Sequence, residues 1–204
     1  MIIKDNKRAF KIFKGNSLVD RIYKGTDKVY EYLPAGYTPL TYVETDSDTP
    51  YKSCICTGIP LKDVSTIKFR CQLLSTTSSY PIVFCTYFAG QITSTDPYIT
   101  VVSTRKSGKW NISPTVEKTS RDIIDYTITS TDTSTHLLKI GGWVDNYWSA
   151  VTRYYYVKIY NKSNELIRYF VACRNPSNVV GMYDLVNKVF YESSDTKPFV
   201  NNEE

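Results

Sequence analysis

Three carboxylates, Glu44, Asp46 and Asp48, alternate with hydroxyl side chains in one short run and are the first candidates for chemistry. Carboxylates two residues apart on a β-strand share one face, with their Cα atoms roughly 7 Å apart. Side-chain tilt reduces that distance toward the ~5 Å between the two carboxyl groups of a retaining glycosidase. The alternative is a solvated loop with weak Ca²⁺ affinity, because the Asp-Ser-Asp-Thr-Pro run is typical of turns. We favour the loop and predict that the protein is not an enzyme.

A cluster of aromatic and polar residues is the second candidate site. Aromatic rings stack on sugars, nearby polar side chains can bind sugar hydroxyls, and loops on a rigid scaffold often carry binding residues. The alternative is that Trp143 lies in the core and the other rings lie at a protein interface, where Tyr and Trp are enriched. We favour core or interface and keep glycan binding as the second possibility. The cluster comprises Trp143, Asp145, Asn146, Tyr147 and Trp148.

The only histidine, His136, follows a run of Ser, Thr and Asp residues. No Gly-x-Ser-x-Gly nucleophile motif, phosphate-binding loop or dinucleotide-binding glycine pattern accompanies it. We therefore expect His136 to be an ordinary strand-edge residue, and we predict no metal site and no cofactor. The cysteines are odd in number and lack a Cys-x-x-Cys pair, so we expect small core residues in a reducing compartment. They are Cys54, Cys56, Cys71, Cys85 and Cys173.

The chain begins with a short internal repeat, in which residues 12–19 (IFKGNSLV) are followed ten residues later by residues 22–29 (IYKGTDKV). Gly-Asn and Gly-Thr at the centre of the two copies are turn signals, so each copy is predicted to be a tight hairpin. Together they are predicted to form a small meander of three or four strands. About thirty residues bury little core alone, so this arm (residues 1–32) must pack on the main domain or on a partner.

The basic charge is concentrated in this arm. Residues 1–31 hold 8 Lys or Arg against 4 Asp or Glu, whereas residues 32–204 hold 17 against 16. A basic segment can bind acidic protein or nucleic acid, and the acidic residues within it favour docking on protein. We predict no contact with nucleic acid or membrane. The residues expected to anchor the arm are Phe10, Phe13, Lys14, Tyr23, Lys24 and Tyr30.

The rest of the chain is predicted to be all-β. Residues 33–39 contain two Pro and one Gly and are expected to interrupt any strand pairing. The later segments alternate apolar and polar residues. Ile67, Phe69, Cys71 and Leu73 are expected to share one face of their strand, and Tyr155, Val157 and Ile159 are expected to share one face of theirs. This spacing favours an antiparallel two-sheet sandwich. The predicted strands are 40–44, 54–57, 66–74, 81–88, 98–103, 109–113, 122–129, 135–142, 153–160, 165–174, 179–184 and 189–191, with hairpin turns at 106–109 and 161–165.

Length and composition limit the possible classes of protein. The 204 residues suffice for one sizeable β domain with a small appendage, and a hydrophobic share of 42% is enough for a real core. No run approaches the roughly 20 apolar residues of a membrane span. The first residues lack the apolar core of a signal peptide. We therefore expect synthesis in the cytoplasm, with exit only by lysis or inside an assembled particle.

Both ends of the main domain resemble a known family. Residues 33–44 (LPAGYTPLTYVE) resemble the LPxGYTxLEYIES opening of concanavalin A-like, or laminin-G-like, jelly-roll modules of phage and gut-bacterial proteins. Residues 155–160 resemble the xYxxKIYD strand of that family. Residues 165–173 and 180–191 resemble its xLVRDFVPC and GLYDLVNxKFY segments. The resemblance implies that residues 33–204 form a concanavalin A-like jelly roll.

The resemblance also implies a function. The repeated hairpin is similar to N-terminal segments of phage structural proteins, which implies a bacteriophage virion protein, present in several copies and made in the host cytoplasm. Capsid decoration, head fibre and tail attachment all remain open as its position, with other virion proteins as partners. A carbohydrate-binding adhesion module that contacts host or mucus glycans is the alternative. A glycoside hydrolase is least favoured, because Glu44 and Asp46 lack the final Glu of the glucanase motif in this fold.

Overall fold

The computed structural model describes residues 13–14, 17–18, 21–24, 27–31, 33–45, 53–76, 82–86, 91–92, 100–103, 110–114, 121–141, 150–194 and 197–202. These residues form β-strands and a single 3-10 turn, Leu61–Asp63. In chain order the strands are β1 (Phe13–Lys14), β2 (Ser17–Leu18), β3 (Arg21–Lys24), β4 (Asp27–Glu31), β5 (Thr38–Pro39), β6 (Val43–Thr45), β7 (Cys54–Pro60), β8 (Val64–Thr76), β9 (Ile82–Thr86), β10 (Gln91–Ile92), β11 (Thr100–Ser103), β12 (Trp110–Ser113), β13 (Ile123–Ser130), β14 (Leu137–Gly141), β15 (Ala150–Asn161), β16 (Leu166–Arg174), β17 (Val180–Asp184), β18 (Val189–Tyr191) and β19 (Phe199–Val200).

Two sheets make up the main body. The large sheet is antiparallel and has the order β12-β13-β8-β15-β16-β17-β18, with β5, β6 and β19 paired beside it. The small sheet has the order β10-β11-β9-β14-β7. Its strands β11 and β9 are parallel, so the prediction of a wholly antiparallel body is wrong at this pair. All-β architecture is confirmed.

The core lies between the two sheets. Phe69 of the large sheet contacts Phe84 of the small sheet edge to face, with ring centroids 4.7 Å apart. Phe84 also contacts Tyr154, at 6.2 Å between centroids. All three side chains are fully buried. Because aromatic side chains bury large areas and prefer this tilted geometry, these contacts hold the two sheets together face to face.

Each of the twelve predicted strands overlaps an observed one, with ends that differ by a few residues. The Asn161–Glu165 turn is also confirmed: the Asn161 side chain accepts hydrogen bonds from the amides of Ser163 (3.0 Å) and Glu165 (2.9 Å). The 106–109 turn lies outside the described residues. Three short strands, β5, β10 and β19, were not predicted, because two-residue pairings carry no detectable alternation.

Because β15 has a β-bulge at Tyr155, the prediction that Tyr155 shares a face with Val157 and Ile159 is wrong. Tyr154 pairs with Cys71 and Tyr156 pairs with Arg70, so Tyr155 is an extra residue on β15. The bulge reverses the alternation, and Tyr154 rather than Tyr155 enters the core. Val157, beyond the bulge, faces the core as predicted.

The predicted interruption at residues 33–39 is also corrected. Thr38 and Pro39 pair with the end of β16, and the neighbouring amide of Leu40 donates to Ala172 O at 3.0 Å. A second apolar cluster forms beneath this segment. It comprises Leu33, Cys173, Tyr183 and Leu185, with Tyr37, Tyr169, Val171 and Phe190 packed against it.

The segment between β18 and β19 connects the two sheets. Ser194 donates its amide hydrogen to Cys54 O at 2.7 Å and accepts one from the Cys56 amide at 3.1 Å. These bonds cover β7, the edge strand of the small sheet, before β19 pairs with β6 beside the large sheet. Covered edges protect a sheet from pairing with other chains.

Both predicted hairpins of the arm are present. Lys14 pairs with Ser17, and Lys24 pairs with Asp27, which leaves two residues between the strands in each case. Within the described residues, however, the hairpins are separate two-stranded sheets and do not join into the predicted meander. No helix in the described part of the chain is long and apolar enough to cross a membrane.

Candidate functional site

The outer face of the large sheet carries the most distinctive group of polar and aromatic side chains in the described residues. On β8, Ile67 and Phe69 point into the core, so Lys68 and Arg70 point outward. We call the group on the neighbouring strands β13, β8, β15 and β16 the tyrosine–cation face. It comprises Lys68, Arg70, Asp125, Tyr156, Lys158, Tyr160 and Tyr169.

Cations lie over the tyrosine rings of this face. Lys68 Nζ is 5.5 Å from the centroid of Tyr160. Lys158 Nζ is 4.7 Å from the centroid of Tyr169 and 5.6 Å from that of Tyr156. Cation–π attraction acts within about 6 Å of a ring, so each ammonium group is held by at least one ring.

Asp125 ties the face together across three strands. Arg70 Nε donates to Asp125 Oδ1 at 2.9 Å, and a second guanidinium nitrogen donates to Oδ2. The Tyr156 hydroxyl donates to the same Oδ1 at 2.7 Å. The hydrogen bond from Arg70 lowers the pKa of Asp125, against a smaller opposing effect of burial. Burial, followed by the bond to Asp125, raises the pKa of Tyr156.

Two lysines lie side by side at the centre of the face. Lys158 of β15 pairs directly with Lys68 of β8, and both side chains project outward. Like charges directly opposite each other on a sheet are unfavourable. Each ammonium group leans onto a different tyrosine ring, which draws the pair apart.

Glu44 was considered above as a possible catalytic carboxylate or part of a solvated loop. It lies on β6 and is buried. Its Oε2 accepts a hydrogen bond from Arg153 Nε at 2.8 Å, and the Arg153 guanidinium lies 4.3 Å from the Tyr42 ring centroid. Burial lowers the pKa of Arg153, but the bond to Glu44 and nearby charges raise it by more. The loop prediction is wrong for Glu44, which links β6 to β15; Asp46 and Asp48 lie outside the described residues.

His136 lies just before β14, one residue outside the observed strand, whereas the predicted strand 135–142 included it. Its backbone carbonyl accepts from the Leu61 amide at 2.9 Å, and its Nδ1 lies 2.8 Å from Ser134 Oγ. Among the cysteines, Cys71 lies in the main core and Cys173 in the second cluster, which confirms the core prediction for these two. Burial raises the pKa of both thiols, that of Cys173 to about 12 despite the opposing effect of a backbone hydrogen bond.

Of the other two described cysteine side chains, Cys54 is buried as predicted and Cys56 is not. Cys54 is buried beneath the Ser193–Ser194 segment, outside both apolar clusters, and Cys56 is half-buried. They lie on the face of β7 opposite the core residue Ile55. The side chain of Cys85 lies outside the described residues.

The other predicted site residues are described in part or lie outside the described residues. Phe13, Lys14, Tyr23, Lys24 and Tyr30 lie on β1, β3 and β4, and only their backbone is described. Phe10 and the proposed glycan cluster, from Trp143 to Trp148, lie outside the described residues. Anchoring and glycan binding therefore stay predictions.

In the described part of the chain, no group of three or more His, Cys, Asp and Glu side chains could hold a metal ion. Comparisons with known proteins give no family: no family model, no curated protein and no solved structure matches the chain.

Sequence reasoning did not identify the tyrosine–cation face. The alternation Ile67-Lys68-Phe69-Arg70 was visible, and it correctly predicted which residues of β8 face the core. No role was predicted for the outward residues of β8. Their chemistry emerges only when β8, β13 and β15 lie side by side, and the bulge at Tyr155 that sets the position of Tyr156 carries no sequence signal.

Proposed function

We propose that this protein is a bacteriophage virion structural protein, in which the N-terminal hairpins attach to a capsid or tail protein and the body is displayed. Capsid decoration, head fibre and tail attachment are all consistent with this arrangement. The body would be a concanavalin A-like jelly roll. Support for that finer fold comes from the two packed sheets and from the resembling segments, which fall on β5, β6 and β15 to β18.

The proposal rests on the observation that the two hairpins are separate from each other and from both sheets of the body in the described residues. In the described residues, β1 pairs only with β2, and β3 pairs only with β4. Among the strands that the structure describes, neither hairpin extends the large or the small sheet. Each two-stranded sheet therefore has strand edges that another protein can extend by β-augmentation.

Charge supports the same assignment. The first 31 residues carry a net charge of +4, whereas the remaining 173 carry +1. A basic segment joined to a nearly neutral body is suited to electrostatic docking on an acidic neighbour. An isolated two-stranded hairpin is only marginally stable in water, so a binding partner would also stabilise it.

The test is to delete residues 1–31 and to measure how much protein is incorporated into particles of the phage. A charge variant, Lys14→Glu with Lys24→Glu, probes the hairpins without shortening the chain. The matched control places the same changes at Lys62 and Lys188, two exposed lysines of the body. Deletion and the hairpin variant should both reduce incorporation, and the control should not.

Incorporation of the deleted chain at the wild-type level would reject the hairpins as the anchor. Unfolding of the deleted chain is measured in parallel. If the body unfolds at the same urea concentration with and without the hairpins, loss of incorporation reports attachment rather than misfolding.

A further inference from the structure

Strand β18 is the last strand of the large sheet, and it pairs only with β17 among the strands that the structure describes. Its other edge therefore carries backbone N–H and C=O groups that have no strand partner in the described part of the chain. The edge strand β7 of the small sheet differs, because Ser194 covers it with two hydrogen bonds. An uncovered edge is a surface on which a further strand can pair.

The residues of β18 favour such pairing. Proteins protect an open edge with proline, lysine, an inward-pointing charge or a bulge. β18 has none of these, since it holds one β-branched and two aromatic residues in a regular register with β17. Val189 is 45% exposed, and Phe190 and Tyr191 are half-buried. These residue types are enriched in paired strands.

The sequence around β18 is self-complementary in one antiparallel register. From Lys188 to Glu192 it reads KVFYE. When a second copy lies antiparallel with the two Phe190 residues opposite each other, each Val189 is opposite a Tyr191. Each Lys188 is then opposite a Glu192. Cross-strand pairs of aromatic residues, of aromatic with β-branched residues and of opposite charges are all favourable.

The charges at the two ends of β18 select this arrangement. Lys188 and Glu192 are both exposed. A second copy that paired in parallel would bring like charges together, whereas an antiparallel copy brings opposite charges together. A shift of register by one residue would place Glu192 opposite Val189 and lose both charge pairs. The flanking charges therefore fit an antiparallel copy of the same strand.

The two faces of the sheet also match across this contact. Phe190 packs with the second apolar cluster, whereas Tyr191 packs against the main core on the other side of the sheet. In the antiparallel register the two Phe190 rings meet on one side, and Val189 meets Tyr191 on the other. A two-fold axis perpendicular to the sheet produces this arrangement, so each face continues from one copy to the next.

We propose that β18 is a self-association site, at which two copies of the chain pair antiparallel and join their large sheets into one. The ladder is three residues long in each copy, so the dimer should be weak. Such a contact would link neighbouring copies wherever an assembly holds them close together. The proposal does not rest on the proposed function, since the contact uses no residue of the hairpins.

The test measures self-association of the full chain by sedimentation equilibrium, at concentrations up to about 0.5 mM. The variants are Glu192→Lys, Lys188→Glu and the double exchange that combines them. Each single change brings like charges together at both ends of the ladder and should weaken the dimer about fivefold or more. The double exchange restores opposite charges and should return the affinity to within about threefold of the wild type.

Matched controls separate β18 from general charge and from the hairpins. Asp63→Lys and Lys62→Glu make the same changes of charge at exposed residues of the 3-10 turn and should leave the affinity within about twofold of the wild type. Deletion of residues 1–31 should leave the dimer intact. Urea unfolding of each variant establishes that the fold is unchanged.

The outcomes are distinct. The proposal is supported if, in addition, hydrogen exchange of the β18 amides slows as the wild-type concentration rises, because pairing protects the outward amides. It is overturned if the wild type stays monomeric over this range, or if the single changes leave the dimer unaltered. It is also overturned if the double exchange does not restore the affinity, or if deletion of the hairpins abolishes association.

Discussion

The two faces of the large sheet use the same strands for different purposes. On β8, Phe69 is fully buried and contacts rings of its own sheet and of the small sheet, whereas its neighbour Arg70 is exposed and bonds only across its own sheet. The inner face is stabilised by burial of apolar side chains, and the stabilising free energy of each buried side chain is large. Around β8 the outer face is held by hydrogen bonds and cation–ring contacts, which are individually small. At Tyr169 the same face joins the second apolar cluster. Stability should therefore depend more on the inner side of β8 than on its outer side.

The largest expected difference is between adjacent residues of β8. Phe69→Ala removes a fully buried ring and should lower the free energy of unfolding by about 3–5 kcal/mol. Lys68→Ala, one residue away on the outer face, should change it by less than about 0.5 kcal/mol. Urea unfolding monitored by circular dichroism measures both. Equal losses would mean that the outer face contributes to the fold as much as the core does.

Two Arg–Asp pairs provide the next comparison. Asp184 lies opposite the core residue Phe170 and is fully buried. Its Oδ1 accepts from the amides of Tyr169 and Val186 at 3.0 Å each, and Arg168 Nε is 3.3 Å from Oδ2. Asp184→Ala removes the acceptor of these partly buried donors.

We expect Asp184→Ala to cost about 3 kcal/mol of unfolding free energy. Asp125→Ala breaks the exposed pair with Arg70 and should cost less than about 1 kcal/mol. The same urea titration distinguishes them. A loss at Asp125 as large as that at Asp184 would contradict the division between the faces.

The smallest expected effect is a dependence on pH. The folded-state pKa of Asp125 lies below its ordinary value, mainly because Arg70 hydrogen-bonds to the carboxylate. Its contribution to stability is therefore complete above the unfolded-state pKa of about 3.9, and it is lost as pH falls through the lower folded-state value. The difference in urea midpoint between the wild type and Asp125→Asn should shrink from pH 6 toward pH 2. A difference that grows on acidification would contradict this assignment.

Alternation of residue types was enough to predict the strands and much of the inner face. Ile67, Phe69 and Val157 were placed correctly because a strand exposes opposite faces at successive residues. The same rule failed at Tyr155, where a bulge adds a residue to one strand only. Bulges depend on the pairing partner, and a single sequence does not contain that information.

The candidate site was less predictable for the same reason. Glu44 precedes a turn-like run in the sequence, yet it is buried because Arg153, distant along the chain, lies on the neighbouring strand. Lys68 and Lys158 are likewise brought together only by strand register. Local sequence predicts which face a residue occupies, whereas its neighbours on that face are set by long-range pairing.

The most direct test of the difference between the two sides of β8 is to substitute successive residues along that strand. Alanine at Ile67 or Phe69, which are fully buried, should lower the free energy of unfolding by more than about 2 kcal/mol. Alanine at Lys68, on the opposite side, should change it by less than about 0.5 kcal/mol. Losses of unfolding free energy that do not alternate along the strand would contradict the account.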